Sequence, residues 1–301
     1  MTGLPRLLYG TTPPRFGTPS NAVVDAAEKL VARLRALPLD GVVVYDIQDE
    51  TGRVETPRPF PFVRTVDPRA YATLLEELSG RSTITYKSLG DLSETAWSAW
   101  LSDTADRYGT RYLSVVGRPT SRIHYAMPLL RAIRLAADHP AGFIVGGVAI
   151  AERHIEGRSE AARLLAKGTA GCRFFVSQAV YHSTPTIELL RDYLAVCRDA
   201  GAEPRPVVLT FAPCGRPKTL AFLRWLGVNV APATEELILR STSPLTKSIE
   251  VCRDNLQRIL DQPYRAALSL GINVESLSIY RDEIDASIEL FHTLNETIAA
   301  D

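Results

Sequence analysis

Asp46, Glu50 and Glu55 stand close together in the chain, and a pocketed carboxyl can act as general acid or base when its surroundings tune its pKa. Lys87 and Arg118 are cations suited to carboxylate or phosphate, the arginine as a two-pronged fork. Glu152 and His154 lie two residues apart, and Gln178 offers a donor and an acceptor on one amide, as the edge of a heterocycle requires. Tyr9 and Tyr280, near the two ends of the chain, present rings for stacking, and Cys214 presents a thiol. No His, Cys, Asp or Glu cluster has metal-ligand spacing, so no metal site is expected. This mixture suits a large polar heterocycle better than metal-assisted hydrolysis.

Short β-branched runs alternate with helix-length amphipathic segments along the whole chain, the signature of parallel βα units. The pattern predicts strands at 7–10, 41–46, 82–87, 112–117, 143–149, 173–178, 206–211 and 274–280. Helices are expected at 20–37, 69–78, 94–108, 125–138, 159–167, 186–200, 218–226 and 284–299, with further helical material at 234–270. Val23, Ala26, Ala27, Leu30 and Leu34 recur at helical spacing behind Ser20, a good N-cap, and Val42 to Val44 read as a doubly buried strand. Eight strands, each followed by a helix, predict one (β/α)8 TIM barrel spanning residues 1–301, with an extra helical segment before the last strand. An open doubly wound sheet shares the local pattern, but the dinucleotide fingerprint GxGxxG is missing; Gly146-Gly147 falls inside a strand. In a barrel the site forms just past the strand ends, where the residues named above fall. The loop from 47 to 65 is unusually long, as functional lids are.

With 34 basic and 34 acidic side chains the net charge is zero, so neither nucleic acid nor an anionic membrane is an expected partner. No apolar run approaches the roughly 18 residues of a membrane span, and residues 1–10 do not resemble a signal peptide. Cys172, Cys197, Cys214 and Cys252 are scattered without a CxxC pair, which suggests reduced thiols and a cytoplasmic protein. Nothing in the sequence sets an oligomeric state.

His154-Ile155-Glu156, then Lys167-Gly168-Thr169-Ala170-Gly171, then Phe175-Val176-Ser177-Gln178 resemble the core of the methylenetetrahydrofolate reductase family. Tyr9-Gly10-Thr11-Thr12-Pro13-Pro14 resembles that family's first strand. Val208-Leu209-Thr210-Phe211 and Phe222-Leu223-Arg224-Trp225-Leu226 resemble a short, flavin-independent branch. The resemblance implies reduction of 5,10-methylenetetrahydrofolate to 5-methyltetrahydrofolate: an acid protonates the departing nitrogen, and a hydride reduces the iminium ion. It implies NAD(P)H as the hydride source. FAD is not favoured, because the family's strand-end aspartate reads as Arg118 and its flavin-contacting tyrosine as Ile150.

Gln178, Arg118, Tyr280 and Tyr9, at strand ends, are expected to hold the folate, and His154 and Lys167 the cofactor. The family's first-strand acid falls on Gly10, which has no side chain to give a proton. Asp46, Glu50 and Glu55 are the candidate replacements. Glu55 is favoured because the proline-rich stretch 57–61 could hold it, buried and desolvated, against the mouth. A folate-binding barrel with altered catalysis, or a pterin one-carbon enzyme with another acceptor, are the alternatives.

Overall fold

A computed structural model of the chain describes residues 4–50, 54–117, 126–154 and 159–300. Its first half runs β1 (Leu7–Thr11), α1 (Ser20–Leu34), β2 (Gly41–Val44), α2 (Pro68–Ser79), β3 (Ser82–Ser88), α3 (Glu94–Tyr108) and β4 (Tyr112–Val116). The second continues with α4 (Leu129–Ala137), β5 (Ile144–Ala149), α5 (Glu160–Ala170), β6 (Phe174–Ala179), α6 (Ser183–Asp199) and β7 (Val207–Phe211). Three helices then intervene, α7 (Pro217–Trp225), α8 (Pro232–Leu239) and α9 (Pro244–Leu260), before β8 (Leu270–Glu275) and α10 (Arg281–Ala299). Every strand pairs in parallel with the next and β8 pairs with β1, closing a (β/α)8 barrel. The expected extra helical segment is present as α8 and α9, separated where Pro244 starts a new helix.

Strand alternation builds two cores. Val42 and Val44 face outward into the layer shared with the helices. Val43 faces the barrel interior with Leu8, Ile84, Tyr112, Phe174 and Val208. Burying each valine or leucine of these layers contributes about 1.5–3 kcal/mol. Two residues nearer the mouth the inward positions turn polar: Tyr45 follows Val43, Tyr86 follows Ile84, and Thr210 follows Val208. The floor of the barrel is therefore apolar, and polar groups enter the layer above it.

The last strand departs from expectation. It runs from Leu270 to Glu275, not over 274–280, so the residue expected near its start is its final one. Good helix formers at 265–270 extend the helical pattern of α9 in sequence, and Gly271 looks like the stop that ends a helix. In the fold Gly271 is instead a strand residue at a close approach, because a Cβ there would lie 2.3 Å from the Arg6 carbonyl oxygen. The tertiary contact overrides the local signal.

The loop after β2 is held across the mouth by aromatic contacts with α7. The Trp225 Nε1–H donates to the Thr56 carbonyl at 3.1 Å, and the Arg58 guanidinium lies 5.1 Å from the Trp225 ring centre and 5.4 Å from that of Phe222. Phe60 meets Phe222 edge to face at 5.3 Å. Residues of the loop after β2 thus pack against the helix that follows β7. No helix among the described residues is long and apolar enough to cross a membrane.

Candidate functional site

The C-terminal ends of the strands open into a cleft of about 250 Å³. One wall is apolar, formed by Val116, Val148, Ile150, Leu223, Leu226 and Val228. The rest of the lining includes Tyr45, Asp46, Glu50, Gln178 and Glu275. A largely apolar lining with a few polar groups is the usual make-up of a small-molecule cleft.

At its base, side chains from the two strands that flank β1 come together over Gly10. Gly10 of β1 pairs with Glu275 of β8 on one side and Val43 of β2 on the other. A Cβ on Gly10 would lie 2.9 Å from Tyr45 Cε2, 3.0 Å from the Tyr45 phenol oxygen and 3.1 Å from Glu275 Cβ. The glycine therefore vacates space that the Tyr45 and Glu275 side chains fill together. The Glu275 carboxyl opens into the cleft on one edge and is otherwise packed round by protein. That burial pushes it up to about 7, and the neighbouring Tyr45 phenol opposes the rise only in part. The Asn273 Nδ2 donates to the Tyr45 phenol oxygen at 2.9 Å and to Thr210 Oγ1 at 3.2 Å. Tyr45 also meets Tyr86 edge to face, with ring centres 4.8 Å apart.

The structure brings Asp46, Glu50 and Gln178 together at this cleft. Asp46 accepts from the Ser88 backbone N–H at 3.0 Å and from Gln48 Nε2 at 2.7 Å, and pairs with Lys87 Nζ at 3.3 Å. These three contacts fix the Asp46 side chain between β2 and β3. Gln178 donates its Nε2–H to the Leu226 carbonyl at 2.6 Å, which leaves its carbonyl oxygen as the group for a ligand.

Other expectations are corrected by placement. Glu55 is exposed, not buried against the mouth, because the clamp on Thr56 and Arg58 secures the loop just beyond it. Tyr9 points outward under α10, where its phenol meets Ser287 Oγ at 2.8 Å, so it stacks on no ligand in the barrel. Tyr280 lies past β8 at the start of α10, under the Arg216 guanidinium at 4.3 Å, and does not line the cleft. Its expected position at a strand end came from the shifted last strand. His154 turns toward α6 and meets Asp192 through Nε2 at 3.0 Å. Lys167 is buried between the Val148 carbonyl at 2.7 Å and Glu160 at 3.2 Å, tying α5 to β5. Burial lowers its ammonium and the Glu160 charge partly restores it; such a lysine is unavailable to a phosphate. Burial likewise raises the Cys214 thiol, which is fully enclosed and away from the cleft. The Glu152 carboxyl, raised by burial, accepts from the Asn229 backbone at 3.3 Å. Arg118 lies outside the described residues.

Glu275, Tyr45 and Asn273 are the residues sequence reasoning missed. Leu270, Ile272 and Val274 alternate with Gly271, Asn273 and Glu275, a period of two that would have placed the polar set inside the barrel.

Comparison with known proteins adds to this geometry. An uncharacterized protein from Clostridium thermocellum that binds two copies of 5-methyl-5,6,7,8-tetrahydrofolic acid is 27% identical, with a TM-score of 0.80 over 96% of this chain and 94% of that one. The family resemblance fits this neighbour and this fold. 2,3-Dimethylmalate lyase, a member of the PEP mutase/isocitrate lyase superfamily, is 11% identical with a TM-score of 0.50 over 97% of this chain and 80% of that one, a likeness of fold alone. No protein-family model matches the chain, and no curated protein does.

Proposed function

We propose that the cleft binds a reduced folate and that the protein reduces 5,10-methylenetetrahydrofolate to its 5-methyl form, with Glu275 as the proton donor. The observation that carries the reading is a carboxyl poised near neutrality at the base of the cleft, in the space that Gly10 leaves open. The acid that the family's first strand would carry is supplied here from the adjacent strand. Binding of a methylated folate by the protein from Clostridium thermocellum supports the ligand class.

The residues divide the work. Gln178 and Asp46 offer an acceptor and an anion to the hydrogen-bonding edge of a pterin, while the apolar wall covers its face. Protonated Glu275 gives its proton to the departing nitrogen of the five-membered ring. The carbon–nitrogen bond breaks with its electron pair going to that nitrogen, which leaves an iminium ion on the other. A reduced nicotinamide supplies the hydride that turns the methylene carbon into a methyl group. Ile150 adds to the apolar wall where the resemblance would put a flavin-contacting tyrosine, so the protein is proposed to purify colourless, without FAD.

The test is incubation of the protein with methylenetetrahydrofolate and a nicotinamide deuterated at its transferable position, followed by mass spectrometry of the folate. A methyl group carrying one deuterium is the expected product. Tight binding of 5-methyltetrahydrofolate with no labelled product would replace the reductase reading by that of a folate-binding barrel.

A further inference from the structure

We infer that Arg153 takes the terminal carboxylates of the ligand, so that the glutamate end of a folate leaves the cleft on the β5 side. This role rests on the folate reading for its ligand, whereas the placement of the residue stands on the barrel alone.

A folate joins its pterin through an aminobenzoyl unit to a glutamate. One end is a flat heterocycle and the other a dicarboxylate. The cleft is not neutral toward that second end. Asp46 and Glu50 come from the loop after β2, and Glu275 ends β8. β2 and β8 both pair with β1, so these three carboxyls share one side of the barrel. Carboxylates of a ligand placed there would meet like charge. Arg153 follows β5, which stands across the ring of eight strands from β1. Among the described residues that line the cleft it is the one cation, and it is exposed.

The turn that carries Arg153 is braced on both sides. Ala151–His154 form a single tight turn, in which the Arg153 N–H donates to the Ile150 carbonyl at 3.1 Å. Glu152 accepts from the Asn229 backbone N–H at 3.3 Å, and His154 meets Asp192 of α6 at 3.0 Å. Both neighbours are thus engaged with protein, and Arg153 between them lies on the cleft. Ile150, three residues earlier, belongs to the apolar wall, so hydrophobic cover and cation come from one stretch of chain. A guanidinium there can grip a carboxylate with two parallel hydrogen bonds.

Calorimetry on the full chain with 5-methyltetrahydrofolate and with its diamide, equal in length but uncharged at that end, reads the contact. Arg153→Gln should weaken the diacid about three- to tenfold, between the worth of an exposed ion pair and that of a charged hydrogen bond. It should leave the diamide unchanged, which also shows that the variant is folded. Arg153→Lys should recover part of the loss, because the charge returns without the fork. Salt should weaken the diacid more in wild type than in Arg153→Gln. An equal loss for both compounds, or a loss for neither, would overturn the role of Arg153. So would an unchanged folate affinity with a raised KM for NAD(P)H, which would give the cation to the cofactor's phosphates. Wild-type protein that binds neither compound would reject the folate reading itself, and with it the ligand assigned to Arg153.

Discussion

Replacing Glu275 with glutamine should remove a pH dependence of stability that the wild-type barrel carries between about pH 4.5 and 7. Burial raises this carboxyl from its ordinary 4.5 to about 7 in the fold, whereas in the unfolded chain it returns to the ordinary value. Between those values the folded state holds more protons than the unfolded state, so stability falls as pH rises. Below the window both states are protonated and nothing is lost. Above it both are ionised and the fold bears the whole cost of a desolvated charge. At 1.36 kcal/mol per unit, the rise corresponds to about 3 kcal/mol, an upper value because one edge of the carboxyl meets the water of the cleft. Glutamine has the same shape and no charge to desolvate. The assay is urea unfolding of both proteins at closely spaced pH values, with the difference in unfolding free energy plotted against pH. Wild type minus variant should fall by up to about 3 kcal/mol from pH 4.5 to 7 and then level off. A difference that stays flat or rises through the window would refute the claim that Glu275 is protonated in the fold near neutrality.

Three further outcomes follow from the same geometry. Gly10→Ala places a Cβ 2.9 Å from Tyr45 Cε2 and should cost about 1–3 kcal/mol of stability by overpacking, with weaker folate binding seen by calorimetry. Glu55→Gln should leave turnover unchanged in a steady-state assay, because that carboxylate is exposed outside the cleft. Lys167→Met leaves buried Glu160 with Arg163 as its remaining cation and should lower unfolding free energy by about 1–3 kcal/mol while leaving the KM for NAD(P)H where it was, which separates a structural lysine from a phosphate ligand.

Most of the barrel was legible because its strands are β-branched runs whose two-sided burial leaves little alternative, as in Val42 to Val44. Asp46 and Gln178 were legible for the same reason: each follows or ends a strand whose limits the pattern located well. The proton donor was not. Its strand begins at Leu270 behind residues that favour helix, so the local pattern puts Asn273 before the predicted strand and that strand's end at Tyr280. Glu55 misled for a different reason. Prolines stiffen its loop, but what the loop rests on is the distant pair Phe222 and Trp225, a contact no local pattern encodes. Lys167 shows the same limit, since only the fold reveals Val148 and Glu160 around its ammonium.

The central claim is that Glu275 gives the proton that opens the folate ring. Single-turnover reduction of methylenetetrahydrofolate by wild type and Glu275→Gln tests it most directly, with 5-methyltetrahydrofolate affinity measured on the same samples. The account predicts a rate about 10²–10⁴ lower in the variant, the usual contribution of a general acid, with the methylated folate still bound. A variant that reduces the substrate at the wild-type rate would contradict it.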